Sequence, residues 1–549
     1  SASALQTLNQ EMNKFDEYNK HKSESDLLKP LDVLAVRDHA RKTLYGSLPL
    51  IAAFGMTRNE STLKKLISAN SRKSLENLAL QEKERLAVLK AVDEEEPGMT
   101  FHLLMAVLVA MISQFLMGYN ISVMNAPVKV VFPGHTTISW SLAVASFAIG
   151  GPFGAVLGGY LANRKGRKGA MLFNTWFLLV GGLMMTFAPS VYWLIPTRLL
   201  MGFAAGVSTV VVPVYLGEMA PPTLRGTLGT CNQFAQVIGI LASNLLAFPL
   251  ATDELWRVLF FITPSLCILQ LLLAPFLLES PRWLLNKNEN SKEARVVIEK
   301  IRQFNELQVE SEVQYYLFAA AKHKTKRDSA HSGGAMWDLI RNPNIRVLVI
   351  SAMFLQFAQQ FSGINAVFYY SSTFFDGVID NPLLGTCLVS FVNVLATFAA
   401  LKLMDNTNRR TLLLCSTGGM IISAIFLTTS LLGITHNIVS LVSVMAYVSF
   451  FELGLGPIPW LIVAEMFDAK YVATAMSMAC IVNWGGNFLV GLLFPMVHEN
   501  FGPWCFLPFF VVLVINYFFV SFYLPETHGR SAEEMQRLVK PVYMEFPKE

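Results

Sequence analysis

The chain has 549 residues, of which 53% are hydrophobic and only 15% charged, with 40 Phe and a formal net charge of +4. It is too apolar for an ordinary water-soluble domain and reads as a membrane protein, and so small a net charge gives no footprint for a nucleic-acid partner. The six cysteines (Cys231, Cys267, Cys387, Cys415, Cys480 and Cys505) fall in apolar segments without paired spacing, which suggests neither a disulfide framework nor a metal site.

Residues 1–98 are polar, charged and amphipathic, as in STLKKLISANSRKSLENLALQEKERLAVLKAV. They read as an N-terminal cytoplasmic segment, either a few helices or a disordered tail. No apolar stretch opens them, so no signal peptide is expected. Twelve apolar runs follow, near 102–121, 137–161, 169–188, 191–217, 227–250, 256–278, 344–375, 383–404, 411–433, 437–464, 473–497 and 503–524. Each is long enough to cross the roughly 30 Å of hydrocarbon in a bilayer. The expected organisation is an all-α integral membrane protein: a six-helix bundle over 99–278, a cytoplasmic connector with short helices over 279–343, a second six-helix bundle over 344–524 and a tail over 525–549. Lys and Arg gather in NRKGRKG (Asn163 to Gly169), in the connector and at Arg409 and Arg410, while the opposite loops offer little beyond Lys129 and Arg257. The basic side faces the cytoplasm, and so do both termini. NES at Asn59 then lies in the cytosol, where it is not glycosylated.

The two halves resemble each other. NRKGRKGAML answers DNTNRRTLLL, YLGEMAPPTLRG answers IVAEMFDAKYVA, and LESPRWLL answers LPETHGRS. Arg167 and Arg409 are 242 positions apart, and both Glu218–Glu465 and Glu279–Glu526 are 247 apart. A parallel repeat of six spans with a site between the halves is an architecture of transporters that work by alternating access. In the seventh run, QQFSGINAVFYY places Gln359, Gln360 and Asn365 at membrane depth. An unpaired amide in hydrocarbon costs a few kcal/mol, so these amides must face protein, water or a polyhydroxyl ligand. On an unbroken helix Gln360 and Asn365 would sit roughly 140° apart. Ser362-Gly363 between them can relax the helix and bring them together. Hydrogen bonding between helices is the alternative use of such amides.

These motifs, with GYNISVMNAP (Gly118 to Pro127) and GLGPIPW (Gly454 to Trp460), resemble the sugar porters of the major facilitator superfamily, above all the facilitative glucose transporters, over about residues 100–535. The resemblance implies a hexose uniporter: a membrane protein in contact with lipid, without cofactor or catalytic residues, located in the plasma membrane. Its cargo would be D-glucose, with fructose, galactose or mannose as further candidates. The implied sugar contacts are Gln233, Gln359, Gln360, Asn365, Asn393, Glu452, Trp460 and Trp484, with Phe368 and Phe451 as apolar neighbours. The amides match the donor and acceptor pairs of a pyranose without charge, and the flat face of Trp460 can cover its C–H patch. Asn120 stands where proton-coupled relatives carry an aspartate, which favours uniport; Glu452, a carboxylate near mid-membrane, keeps proton symport as the alternative. Arg198 reads as a structural charge near the outer end that pairs or snorkels. At the cytoplasmic ends, Asn163, Arg164, Arg167, Glu218, Arg225, Glu279 and Arg282, with Asp405, Arg409, Arg410, Glu465 and Glu526, resemble the family's ion-pair network, a two-state device that closes when the cavity opens outward.

Four positions depart from the family pattern. Asn408 replaces a glycine, Leu455 a proline and Phe361 a leucine, and Val472 stands where an arginine would answer Arg225. The second-half network is therefore expected to be the weaker one, and sugar choice is less determined than sugar class. A non-transporting sensor of the same fold would carry a long C-terminal extension, whereas 24 residues follow Pro525. An ATP-driven pump would need a phosphate-binding G-x-x-x-x-G-K-[ST], which does not occur.

Overall fold

The computed structural model describes residues 98–328, 339, 341, 345–376, 378–404, 407–467, 471–528, 530 and 534–535. The reading of 1–98 falls outside these residues except for Gly98, as does the reading of Asp405. The described chain is helical, without strands. The first half holds α1 (Phe101–Ser122), α2 (Thr137–Thr186), α3 (Val191–Met219), α4 (Arg225–Leu250) and α5 (Trp256–Leu272). Three short helices follow: α6 (Pro281–Lys287), α7 (Lys292–Arg302) and α8 (Glu306–Asp328). The second half holds α9 (Arg346–Gln360), α10 (Ile364–Phe374), α11 (Pro382–Met404), α12 (Arg409–Leu431), α13 (Ile438–Leu453), α14 (Ile458–Met466), α15 (Val472–Phe501) and α16 (Leu507–Phe522).

Among the described residues, nine helical stretches are long and apolar enough to cross a membrane, with shorter apolar helices at Trp256–Leu272 and Leu507–Phe522. α2 has 50 residues. At 1.5 Å per residue that is about 75 Å, more than twice the hydrocarbon thickness, so it must turn back. Its backbone breaks at Gly166, where φ is +85°. A Cβ there would lie 2.1 Å from Glu279 Oε2, so the reversal needs glycine for both conformation and space. Counted as two, α2 brings the long and shorter apolar helical stretches among the described residues to twelve.

In lipid, helices do not associate to escape water; close backbone packing and interhelical hydrogen bonds hold them instead. α2 and α3 meet through Gly150, Gly154, Gly202 and Gly206, where a Cβ would come within 1.8 to 2.2 Å of a facing carbonyl oxygen. Gln270 of α5 donates to Val109 O (2.9 Å) and Ser113 Oγ (2.8 Å) of α1 and accepts from Thr175 Oγ1 of α2 at 3.0 Å. Gln114 of α1 donates to Ser208 O of α3 at 3.0 Å. The short helices are fixed to this half: Thr100 Oγ1, which also caps α1, donates to Ile301 O at 3.0 Å, and buried Arg302 donates to Met219 O at 2.8 Å.

The second half differs in having two interrupted crossings. α9 and α10 are separated at 361–363, where Gly363 takes φ +83°, and α13 and α14 at Gly454–Pro457. Glycine and proline both weaken the helical ladder there, by backbone freedom and by a missing N–H respectively.

The glycine packing generates a prediction. Gly154→Val should cost about 1 to 3 kcal/mol or more through overpacking, seen as a lower melting temperature of the purified protein. Gly159→Val, in the same helix with nothing within 4 Å of the new Cβ, should melt close to the parent; equal loss in both variants would refute the packing account.

Candidate functional site

The interruptions free backbone groups at membrane depth, and side chains from facing helices take them up. Gln359 Nε2 donates to Leu455 O at 2.9 Å and also to Gly456 O. Ser416 Oγ accepts from Leu455 N at 3.0 Å. In return, Tyr447 of α13 donates its hydroxyl to Ser362 O in the α9–α10 break. Gln359 therefore ties one broken crossing to the other.

An amide cluster is built on that frame. Asn483 Nδ2 donates to Gln356 Oε1 (2.7 Å) and Gln359 Oε1 (2.5 Å), and Asn483 Oδ1 accepts from Gln360 Nε2 at 3.0 Å. Asn365 Nδ2 donates to Gln360 Oε1. The break thus brings Gln360 and Asn365 together, as the Ser362-Gly363 argument anticipates. Gln356 and Asn483 escaped sequence reasoning. Both are lone amides in apolar runs, and the one available signal was that Asn483 adjoins Trp484. Tyr369 was missed too; its hydroxyl donates to Asn487 Oδ1 at 2.9 Å.

Asn393 of α11 is fully buried, and both of its amide atoms lack a protein partner. Glu452 of α13 is buried with the Thr397 hydroxyl beside it. Phe368, Phe451 and Trp484 are buried, whereas Trp460 and Gln233 are half-buried. Asn120 is committed to its own half: its Nδ2 donates to Leu116 O at 2.8 Å, and its Oδ1 accepts from Thr263 Oγ1 at 3.3 Å.

Arg198 corrects the sequence reading. It neither snorkels nor pairs with a carboxylate among the described residues. It is 0% exposed, donates Nη1 to Asn120 O at 2.6 Å and lies 4.4 Å from the centroid of the Phe147 ring. A carbonyl dipole and a ring face hold the cation without a counter-charge.

At the basic end the ion pairs form two similar clusters, one in each half. Arg167 Nη2 donates to Glu218 Oε1 at 2.8 Å, Arg167 N to Glu279 Oε1 at 2.8 Å, and Ser280 Oγ to Glu218 Oε2 at 2.6 Å. In the second half Arg409 Nε donates to Glu465 Oε1 at 3.2 Å, Arg409 N to Glu526 Oε1 at 2.9 Å, and Thr527 Oγ1 to Glu465 Oε2 at 2.5 Å. The longer Arg–Glu contact belongs to the second half. Burial pushes the Glu279 carboxyl above its ordinary range, opposed by backbone N–H groups of Ser280, Lys168, Arg167 and Gly169. Arg410 N donates to Glu526 Oε2 at 3.1 Å, and its guanidinium caps the Val520 and Ser521 carbonyls. Two expected members stay outside: Arg164 donates to the Tyr160 hydroxyl at 2.7 Å, and Arg282 has no polar partner among the described residues. Arg164 is exposed, where solvation competes well with a salt bridge, and Arg282 is half-buried. Asn163 contributes its carbonyl, to Trp283 Nε1 at 3.0 Å, and Arg225 opens α4.

The halves touch at the opposite end. Asn125 Nδ2 donates to Ser371 Oγ at 2.8 Å, Ser372 Oγ donates to Asn125 O at 2.6 Å, and Lys129 Nζ pairs with Asp376 at 2.5 Å. Asn244 Nδ2 donates to Ser390 Oγ at 2.8 Å. The Asn125–Ser372 and Lys129–Asp376 partners are each 247 positions apart, within the 242 to 247 that relates the sequence repeats. Segments that nearly answer each other in the repeat therefore meet, one from each half.

Residues 105–539 match the family model described as Sugar (and other) transporter. The chain belongs to this sugar transporter family. It is 37% identical over 464 residues to the solute carrier family 2, facilitated glucose transporter member 3 of Ovis aries, covering 80% of this chain and 92% of the relative. The member 3 protein of Homo sapiens is 37% identical over 461 residues, covering 79% of this chain and 92% of its own. Among solved structures, the inward open conformation of the xylose transporter XylE from E. coli superposes with a TM-score of 0.67 at 27% identity, covering 79% of this chain and 99% of that one. The proton:xylose symporter XylE bound to 6-bromo-6-deoxy-D-glucose gives 0.64 at 25% identity over 80% of this chain and 99% of that one. The family's fold is that of the major facilitator superfamily.

Asn483→Leu should strand the Gln360 donor and two glutamine oxygens. Each buried group left unmade costs about 1 to 3 kcal/mol, so sugar-free protein should melt well below the parent. Gln356→Leu should fall less, because Gln356 Nε2 already has no partner. Equal melting of Asn483→Leu and parent would refute the hub.

Proposed function

We propose that this family member is a facilitative hexose uniporter, with D-glucose the favoured cargo and fructose, galactose and mannose as further candidates, working by alternating access in the plasma membrane. The observation that carries this reading is the uncharged amide layer at membrane depth, in which fully buried Asn393 keeps a donor and an acceptor without a protein partner. A sugar hydroxyl offers both complements at once. Gln360 and Asn365 from α9–α10, with Trp484 from α15 and Trp460 from α14, would supply polar and stacking contacts around the ring. The curated relatives named above are facilitated glucose transporters, which supports the cargo class.

The basic end is taken as cytoplasmic from the distribution of Lys and Arg. Clasping of the halves at the other end, with the traced basic-end clusters each confined to one half, supports a cavity that opens toward the cytoplasm. Resemblance to the inward open XylE structure agrees with that direction. Return to the outward-facing form would break the Asn125, Lys129 and Asn244 contacts.

Uniport rests on Asn120, whose amide cannot titrate and is occupied by Leu116 O and Thr263. The second reading is proton symport through Glu452, favoured by the buried position of that carboxylate and by the similarity to XylE, a proton:xylose symporter.

In liposomes holding the purified protein, radiolabelled glucose should equilibrate without uphill accumulation under an imposed pH gradient. Sugar-dependent proton entry that disappears in Glu452→Gln would establish symport instead. Gln360→Leu should weaken sugar binding by roughly 5-fold to 150-fold, the equivalent of about 1 to 3 kcal/mol for a lost hydrogen bond. Unchanged binding by folded Gln360→Leu protein would mean that the amide serves helix packing alone.

A further inference from the structure

Gly150 and Gly151 are neighbours in α2 and lack side chains for different reasons. A Cβ on Gly150 would lie 2.2 Å from Leu199 O of α3, so that glycine permits close packing within the first half. A Cβ on Gly151 would instead meet three atoms of the Trp484 indole at 2.4 to 2.6 Å. Gly151 belongs to the first half and Trp484 to the second. The indole rests directly on the backbone of a helix from the other half, with the Phe147 ring one turn earlier at a centroid distance of 6.3 Å and an interplanar angle of 48°.

We propose that Gly151 is a positioning residue for sugar recognition: its missing side chain seats the Trp484 indole at the depth where its ring meets the sugar. This rests on the hexose reading given above. The next residue back, Asn483, is held by three hydrogen bonds to Gln356, Gln359 and Gln360. α15 therefore cannot slide away from an added methyl, and the ring must turn instead. Turning it alters the stacking surface and leaves the amides in place. The seat also links the site to the moving interface. When α2 and α15 shift against each other during turnover, the indole changes support, so the ring is presented differently to the two sides.

The experiment compares Gly151→Ala, Trp484→Phe and the double variant in glucose uptake by liposomes, together with tryptophan fluorescence measured without sugar. Gly151→Ala should raise the half-saturating glucose concentration by roughly 5-fold to 50-fold, within the span of one or two weakened contacts, with maximal flux much less affected. The Trp484-dependent part of the emission, obtained by difference against Trp484→Phe, should change. The double variant should be no worse than Trp484→Phe alone, because a phenyl without the fused second ring can turn aside from the methyl. Additive losses, or a Gly151→Ala protein with parental half-saturation and parental emission, would overturn the proposal. Should Gly151→Ala fail to fold, rescue of folded protein in the Trp484→Phe background supports the seat, and absence of rescue overturns it. Were Trp484→Phe itself to leave sugar affinity unchanged, the sugar-site reading of Trp484 would fail, while the emission difference would still report whether Gly151 seats the ring.

Discussion

A backbone carbonyl or a carboxamide at the depth of hydrocarbon has no water to turn to, so every one of them needs a partner supplied by the protein or its cargo. Two crossings of the second half are interrupted at that depth, and each interruption is served by the other. Gln359 from the first broken crossing covers Leu455 O and Gly456 O of the second, and Tyr447 from the second covers Ser362 O of the first. Either break alone would leave exposed carbonyls in an apolar layer. The pair makes it possible to open helices there and aim amides inward.

The halves divide the work unequally. In the first, interlocking glycines and a few wholly committed amides, Gln270 and Gln114 among them, hold the described crossings together as one body. In the second, amides are linked to one another as well as to backbone: Asn483 joins three glutamines, and Asn365 reaches Gln360. A neutral donor and acceptor set of this kind can exchange one partner for a hydroxyl without moving charge through a low-dielectric layer, where charge is expensive.

Much of this was legible in the sequence because membrane thickness and apolar length impose it. The crossings, the repeat offset near 247 and the bend at Ser362-Gly363 all follow from rules that act along the chain. Partnerships set by three-dimensional approach were not legible. Asn483 and Gln356 look like isolated polar residues until α9 and α15 are side by side. Arg198 reads as a charge that pairs or snorkels, because nothing local announces that a carbonyl and a phenyl ring will hold it. Arg164 and Arg282 share the motif of the basic cluster but stand outside its ion pairs, where motif and contact part company. The adjacent glycines at 150 and 151 are the clearest case, since identical letters answer to different neighbours in different halves.

The clasp between Asn125 and Ser372, and between Lys129 and Asp376, joins segments that nearly answer each other in the repeat. Such a contact approaches the geometry of a two-fold homodimer, although it occurs here within a single chain. Its strength is set by how well two diverged helix tips complement each other. Separation then carries both tips off the axis together, so neither half is the door and neither the frame. A change at either tip acts on a surface shared equally by both, and the barrier to opening becomes a joint property of two diverged copies rather than of one gate residue.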